Sequence, residues 1–225
     1  MHFEVLVEDR SGKKALDILI PKIIGAQDTF KVIAYKGIGH FPKCFTGSVK
    51  ISACQLLAQL PAMLMGYGKT EIYANRAAAV IVVCDLDSNC LEAFRQELCA
   101  VLHACNPKPV TRFCIAVEEG EAWLLGDIPA IKAAYPQASD AVLNGYVNDS
   151  ICGTWELLAD AVFPGGSGAL VKRGWRAVGK EKSVWAAKIA PLMDVENNAS
   201  PSFQYFRDEL RELTCGAMLQ QYFGD

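Results

Sequence analysis

Ala77-Ala78-Ala79-Val80-Ile81-Val82-Val83-Cys84-Asp85-Leu86-Asp87 is a run of small and apolar residues that ends in two aspartates one residue apart. Such a run reads as a strand buried on both faces, the signature of a parallel sheet. Side chains alternate along a strand, so Asp85 and Asp87 are expected on one face. They fall at the carboxyl end, where open α/β sheets bind ligands. Two carboxylates held this close repel each other. The usual remedy is a hard divalent cation such as Mg²⁺, which takes oxygen ligands and keeps part of its water.

Upstream, Phe3 to Val7 reads as a first strand and runs into Glu8-Asp9-Arg10-Ser11-Gly12. Ser11 is a fair helix N-cap, and Leu16, Leu19, Ile20 and Ile23 follow at helical spacing. Pro21 is expected to kink or end that helix. Residues 30–36 read as a second strand, 37–47 as a loop, and 51–65 as a helix broken by Pro61. Downstream, Asn89 and Glu92 form a capping-box pattern. Leu91, Phe94, Leu98, Val101 and Leu102 make the inner face of the helix that follows. Val110 to Val117 is a fourth strand leading into an acidic helix from Glu119 to Leu125. Strands alternating with helices predict parallel βα units with right-handed crossovers.

Beyond Pro129 no strand pattern appears, and Pro136–Asn148 and Pro164–Gly168 read as loops. Ser200 with Pro201 marks the start of a final helix, with Phe203, Phe206, Leu210 and Leu213 inward. The expected organisation is a mainly parallel α/β domain, 1–129, with a helical extension, 130–225, packed on it.

The 225 residues are 52% hydrophobic and 21% charged, enough for one sizeable core. No segment has the apolar length of a membrane span, and the opening strand-like residues do not resemble a secretory signal. Nine scattered cysteines with no C-x-x-C pair argue against a zinc site or a disulfide framework. Buried thiols in a reducing cytoplasm are the expectation.

Net charge is −3, which speaks against a generic nucleic-acid coat, but the charges are segregated. Residues 117–127 carry Glu118, Glu119, Glu121 and Asp127 with no base. Residues 165–190 carry Lys172, Arg173, Arg176, Lys180, Lys182 and Lys188 against Glu181 alone. An acidic centre beside a basic segment fits a metal site next to a phosphate-binding surface. Glu8, the Asp85/Asp87 pair and Glu119/Glu121 all follow strands, and parallel strands put those ends on one edge. Each alone reads as a solvated turn acid or a helix-terminal charge. Together they suggest one site, with Glu119 and Glu121 as additional ligands.

A strand followed by Glu8, then a strand followed by Asp85-Leu86-Asp87, resembles the TOPRIM pattern of topoisomerases, primases and related nucleases. That resemblance implies Glu8 as general acid/base and the aspartates as holders of Mg²⁺ or Mn²⁺ for phosphodiester chemistry. Over nearly the whole chain, the sequence is similar to the small stand-alone TOPRIM-like proteins grouped as domain of unknown function 4276. The residues that carry this are Val7-Glu8-Asp9-Arg10-Ser11, Lys36-Gly37, Asp85-Leu86-Asp87, Arg112 through Asp127, Lys180, and Asn198-Ala199-Ser200-Pro201-Ser202-Phe203. That group often has a second acid after the serine, where Gly12 stands here. It is often encoded beside AAA-type ATPases, which implies an effector of anti-phage defence.

The expected function is therefore Mg²⁺-dependent phosphodiester cleavage of nuclease type. Lys36, Lys172, Arg173 and Lys180 would contact nucleic acid. The alternative is a non-catalytic nucleic-acid-binding or regulatory subunit of an AAA-type ATPase. A phosphatase of the haloacid-dehalogenase type is a third reading of Asp85-Leu86-Asp87-Ser88-Asn89. It places lower, because two strands precede the motif and no later lysine and acid pair is recognisable. Gly68-Lys69-Thr70 is not a P-loop, since Met63 stands where the first glycine is required. His2, His40 and His103 show no ligand spacing.

Overall fold

The computed structural model describes residues 1–41, 55–74 and 77–223. Four strands, β1 (His2–Val7), β2 (Thr29–Ala34), β3 (Ala78–Asp85) and β4 (Thr111–Ala116), form one parallel sheet in the order β2-β1-β3-β4. Helix α1 (Arg10–Ile23) connects β1 to β2. Helices α2 (Leu56–Gly68) and α3 (Glu71–Ala74) lie between β2 and β3, and α4 (Leu91–His103) between β3 and β4. The architecture is the α/β fold with a helical C-terminal region that the sequence predicts.

Both faces of the sheet are buried, which explains the unbroken apolar run of β3. Phe3, Val5, Val7, Ile81, Val83 and Cys114 pack on one side with α1. Leu6, Val80, Val82, Phe113 and Ile115 pack on the other with α2 and α4. The chain leaves β1 toward one edge through α1, and leaves β3 toward the other through α4. The point of reversal lies between the carboxyl ends of β1 and β3, the place where open α/β sheets form a ligand crevice.

The later residues supply α5 (Glu121–Leu125), α6 (Ile128–Ala134), α7 (Asp140–Leu143), α8 (Thr154–Val162), α9 (Gly166–Val171), α10 (Trp175–Ile189) and α11 (Pro201–Phe223). Trp123, Trp155, Trp185, Phe203 and Phe206 share one core with the β1–β3 face that covers α1. Full burial of side chains this large contributes roughly 1.5–3 kcal/mol each. The Ser200 hydroxyl accepts from the Phe203 N–H at 3.2 Å, as expected of the α11 cap.

Several local expectations are corrected. Asp9, not Ser11, caps α1, accepting from the Gly12 N–H at 2.7 Å. Pro21 is carried in the last turn of α1, and α2 runs through Pro61, because buried Leu56, Leu57, Leu60 and Leu64 outweigh one lost hydrogen bond. The Asn89 capping box does not form, since the Asn89 amide turns back to the Leu86 carbonyl at 2.9 Å. Leu91 is exposed. The two expected loops hold α7 and the start of α9, anchored by buried Leu143 and Leu170. Of the described cysteines, Cys84, Cys105 and Cys114 are buried, while Cys90, Cys152 and Cys215 are exposed on helix ends, surfaces or loops. Cys44, Cys54 and the start of the 51–65 segment lie outside the described residues.

Candidate active site

Glu8 leaves the end of β1 and its carboxylate lies 3.4 Å from the Asp85 backbone N–H. Asp85 is the last residue of β3, paired with Ala116 of β4. Its Oδ1 stands over Gly120, 3.8 Å from where a Cβ on that residue would lie. Glu121 begins α5 directly beyond and is buried. One small cavity, of about 40 Å³, touches Glu8, Asp9, Asp85, Glu121 and Lys182. That is room for roughly three water-sized occupants at 10–15 Å³ each.

The base in this crevice comes from the far end of the chain. Lys182 on α10 reaches Glu121 at 2.9 Å and Glu119 at 3.3 Å, and its side chain is 16% exposed. In the sequence Lys182 reads as part of a basic phosphate-binding segment, whereas in the structure it lies among the acids. A signal was present. Val178, Lys182, Trp185, Ala186 and Ile189 share helical spacing, and Lys182 is the charged member of that otherwise buried face.

One lysine does not balance this many carboxylates. Burial pushes Glu8 up to about 7, opposed by the Asp85 N–H and reinforced by Asp87 and Asp9. Burial, then the charge of Glu8, holds Asp85 well above the usual carboxylate range, with Lys182 opposing. Burial also raises Glu119, to about 7, and Glu121, again against Lys182. For Lys182, burial would lower the ammonium, but Glu121, Glu119 and Asp85 outweigh it and keep it charged.

These directions set a pH dependence. A carboxyl group raised in the folded state favours folding while it is protonated, and that contribution is lost as it ionises. Glu8 and Glu119 therefore contribute fully below their ordinary value of 4.5 and progressively less as pH rises toward about 7. The metal-free protein is expected to melt at lower temperature at about pH 7.5 than at about pH 5.5, and Glu8→Gln to flatten that slope. Calorimetry at constant ionic strength checks this, and a profile identical in wild type and variant counts against the crowded-acid site.

The remaining expected residues are placed differently. The alternation that pairs Asp85 with Asp87 stops where β3 stops: Asp87 has φ 49°, is exposed, and donates its N–H to the Glu118 carbonyl at 2.8 Å. Its charge still bears on Glu8. Glu118, also at positive φ (62°), accepts from the backbone N–H groups of Cys152, Gly153 and Thr154, so it caps α8 and clips the acidic loop to the later helices. Lys36 is exposed at the end of β2, beside the Gly37 N–H that bonds the Glu8 carbonyl at 3.0 Å. Lys172, Arg173 and Lys180 are exposed, and the Arg173 guanidinium lies 4.9 Å from the centre of the Phe163 ring. Arg112 is not a free strand-end cation, since it ion-pairs with Glu209 of α11. At position 12 a Cβ would meet the Val7 Cγ2 at 2.7 Å, so an acid there would require the Val7 side chain to shift.

Among the described residues, no three His, Cys, Asp or Glu side chains are arranged as a ready cage for a metal ion. The donor chemistry nevertheless fits Mg²⁺, which is commonly held by one or two carboxylates and its own water. Glu8 and Asp85 are such a pair, crowded and short of positive charge.

Fold and site together define an α/β protein with an acid-rich crevice at the reversal point of a parallel sheet. The chain belongs to the family described as domain of unknown function (DUF4276), whose family model matches residues 7–211. No curated protein and no solved structure matches it. Among the described residues, no helix is long and apolar enough to cross a membrane.

Proposed function

We propose that this protein is a Mg²⁺- or Mn²⁺-dependent phosphodiester-cleaving enzyme of the TOPRIM-like, nuclease type. The observation that carries the proposal is the excess of carboxylates, half-buried at Glu8, Asp85 and Glu119 and buried at Glu121, over one lysine in the crevice between β1 and β3. Asp85, with Glu8 and the exposed neighbour Asp87, would hold the ion, which when bound would polarise a phosphate oxygen and acidify water. Glu8, pushed up to about 7, is suited to hold and release a proton at neutral pH. Lys182 fixes Glu119 and Glu121 and sets one positive charge beside the place a phosphate would occupy. The proposed setting is an effector of anti-phage defence that works with an AAA-type ATPase.

The test is cleavage of labelled single-stranded DNA, duplex DNA and RNA with Mg²⁺ or Mn²⁺, against chelator and Asp85→Asn. Cleavage that falls at least about a hundredfold in both controls is expected. A second reading has its own support in the lack of a ready three-carboxylate cage among the described residues. It is a regulatory, nucleic-acid-binding subunit without turnover, and absence of cleavage under every condition would put it first.

The phosphatase alternative is separated by a different measurement. Lys182 is a late lysine near Asp85 that the sequence did not reveal, so the contrast has weight. Its ammonium is nevertheless committed to Glu119 and Glu121. No beryllofluoride adduct on Asp85 and no turnover of a generic phosphomonoester are expected. Robust phosphomonoester turnover, lost in Asp85→Asn, would reverse the ranking.

A further inference from the structure

Three of the four tryptophans, Trp123, Trp155 and Trp185, are buried, whereas Trp175 is 71% exposed. An exposed indole is the largest apolar surface a single side chain can leave in water, and leaving it there is unfavourable relative to burial. It is not a loose end. Trp175 is the first residue of α10, entered through Gly174 at φ 88°, and its ring meets Trp155 edge to face at 6.1 Å. The contact holds the indole in place while leaving most of it open.

The stretch of chain around it carries one sign of charge. Residues 171–180 contain Lys172, Arg173, Arg176 and Lys180 and no acid. All four bases are exposed, and the Arg173 guanidinium lies 4.9 Å from the centre of the Phe163 ring. A fixed aromatic face among guanidinium and ammonium groups is the pattern by which proteins bind single-stranded nucleic acid, bases stacking on the ring and phosphates meeting the cations. Duplex DNA hides its base faces and would use the cations alone.

The helix also ties this surface to the acids. Trp175 and Lys182 are seven residues apart, two turns of α10, and so lie on the same face. The rise between them is about 10 Å at 1.5 Å per residue, or roughly three stacked nucleotides at 3.4 Å each.

We propose that Trp175, with the exposed bases Lys172, Arg173 and Arg176 beside it in the chain, is a base-stacking platform that selects single-stranded nucleic acid two helical turns from Lys182 of the Glu8/Asp85 crevice. The substrate class it names rests on the nuclease reading; the binding it describes does not need turnover.

The experiment uses the full chain with Ca²⁺ in place of Mg²⁺ and measures binding of single-stranded and duplex oligonucleotides of matched sequence. Because Trp175 is the one exposed tryptophan, saturable quenching of indole fluorescence by single strands is expected, and little by duplex. Trp175→Ala is expected to weaken single-strand binding about tenfold or more and duplex binding little, with Trp175→Phe retaining most of the affinity. Unchanged melting temperature in both variants separates this from misfolding, as expected for a side chain in solvent. Equal loss of single-strand and duplex binding, or no loss in Trp175→Ala, overturns the platform. Absence of any nucleic-acid binding at low salt overturns it too and leaves the indole as a protein-docking contact. Cleavage by the wild type together with a neutral Trp175→Ala would sink the platform and spare the nuclease reading. Trp175-dependent binding without cleavage under any metal would do the reverse.

Discussion

Asp85→Asn is expected to stabilise the metal-free protein and to abolish its response to Mg²⁺. Asp85 is half-buried at the end of β3, and its partial burial and the nearby Glu8 both disfavour its charge. An amide of the same shape removes that repulsion while keeping the backbone pairing of β3 with β4. In the wild type, a ligand that binds only the folded state at a hundred times its dissociation constant adds about 2.7 kcal/mol. For a chain of this size that corresponds to a melting shift of roughly 5–10 °C. The variant should show none of it, and Glu8→Gln only part. Differential scanning fluorimetry with Mg²⁺, Mn²⁺ and Ca²⁺ titrations makes the comparison. Equal shifts in wild type and Asp85→Asn would remove Asp85 from any metal site and the metal from this crevice.

Lys182→Met is expected to be the most damaging single change at alkaline pH. It keeps the length and apolar stem of the side chain but leaves Glu119 and Glu121 without their base. Removing one partner of a buried ion pair typically costs about 3–5 kcal/mol, roughly 6–20 °C in melting temperature for a chain this long. The loss should be pH-dependent. Lys182 opposes the upward shifts of both glutamates, so without it they take protons at still higher pH. Protonated, they no longer need the lysine, and the penalty shrinks as pH falls toward about 5.5. Denaturant melts at several pH values test this. A penalty independent of pH would mean that the lysine acts through its packed stem and not its charge.

These residues also mark how far the sequence is legible. β3 and Asp85 stand out because a strand buried on both faces has no polar positions, so its end is abrupt. Glu8 and the acids after β4 follow from topology alone, since parallel strands put their carboxyl ends together. Asp87 did not obey the alternation, because alternation holds only while the strand does. Glu118 looked like one more first-turn acid, yet its work is on the backbone of α8, 34 to 36 residues away. No local pattern encodes that partnership. Lys182 was obscured by its neighbours: Lys180 and Arg176 face solvent, and only the helical phase of Val178, Trp185 and Ile189 distinguishes the inward base from the outward ones.

The separation in sequence between the acids and their base has a consequence for synthesis. Lys182 follows its partner Glu119 by 63 residues. At the usual pace of translation the ribosome needs roughly 3 to 13 s to cover that interval. All four strands precede it, so the acids at their carboxyl ends are synthesised before the lysine that pairs with two of them. The acids of the crevice are therefore made before their base, and docking of α10 is the step that brings the countercharge to Glu119 and Glu121.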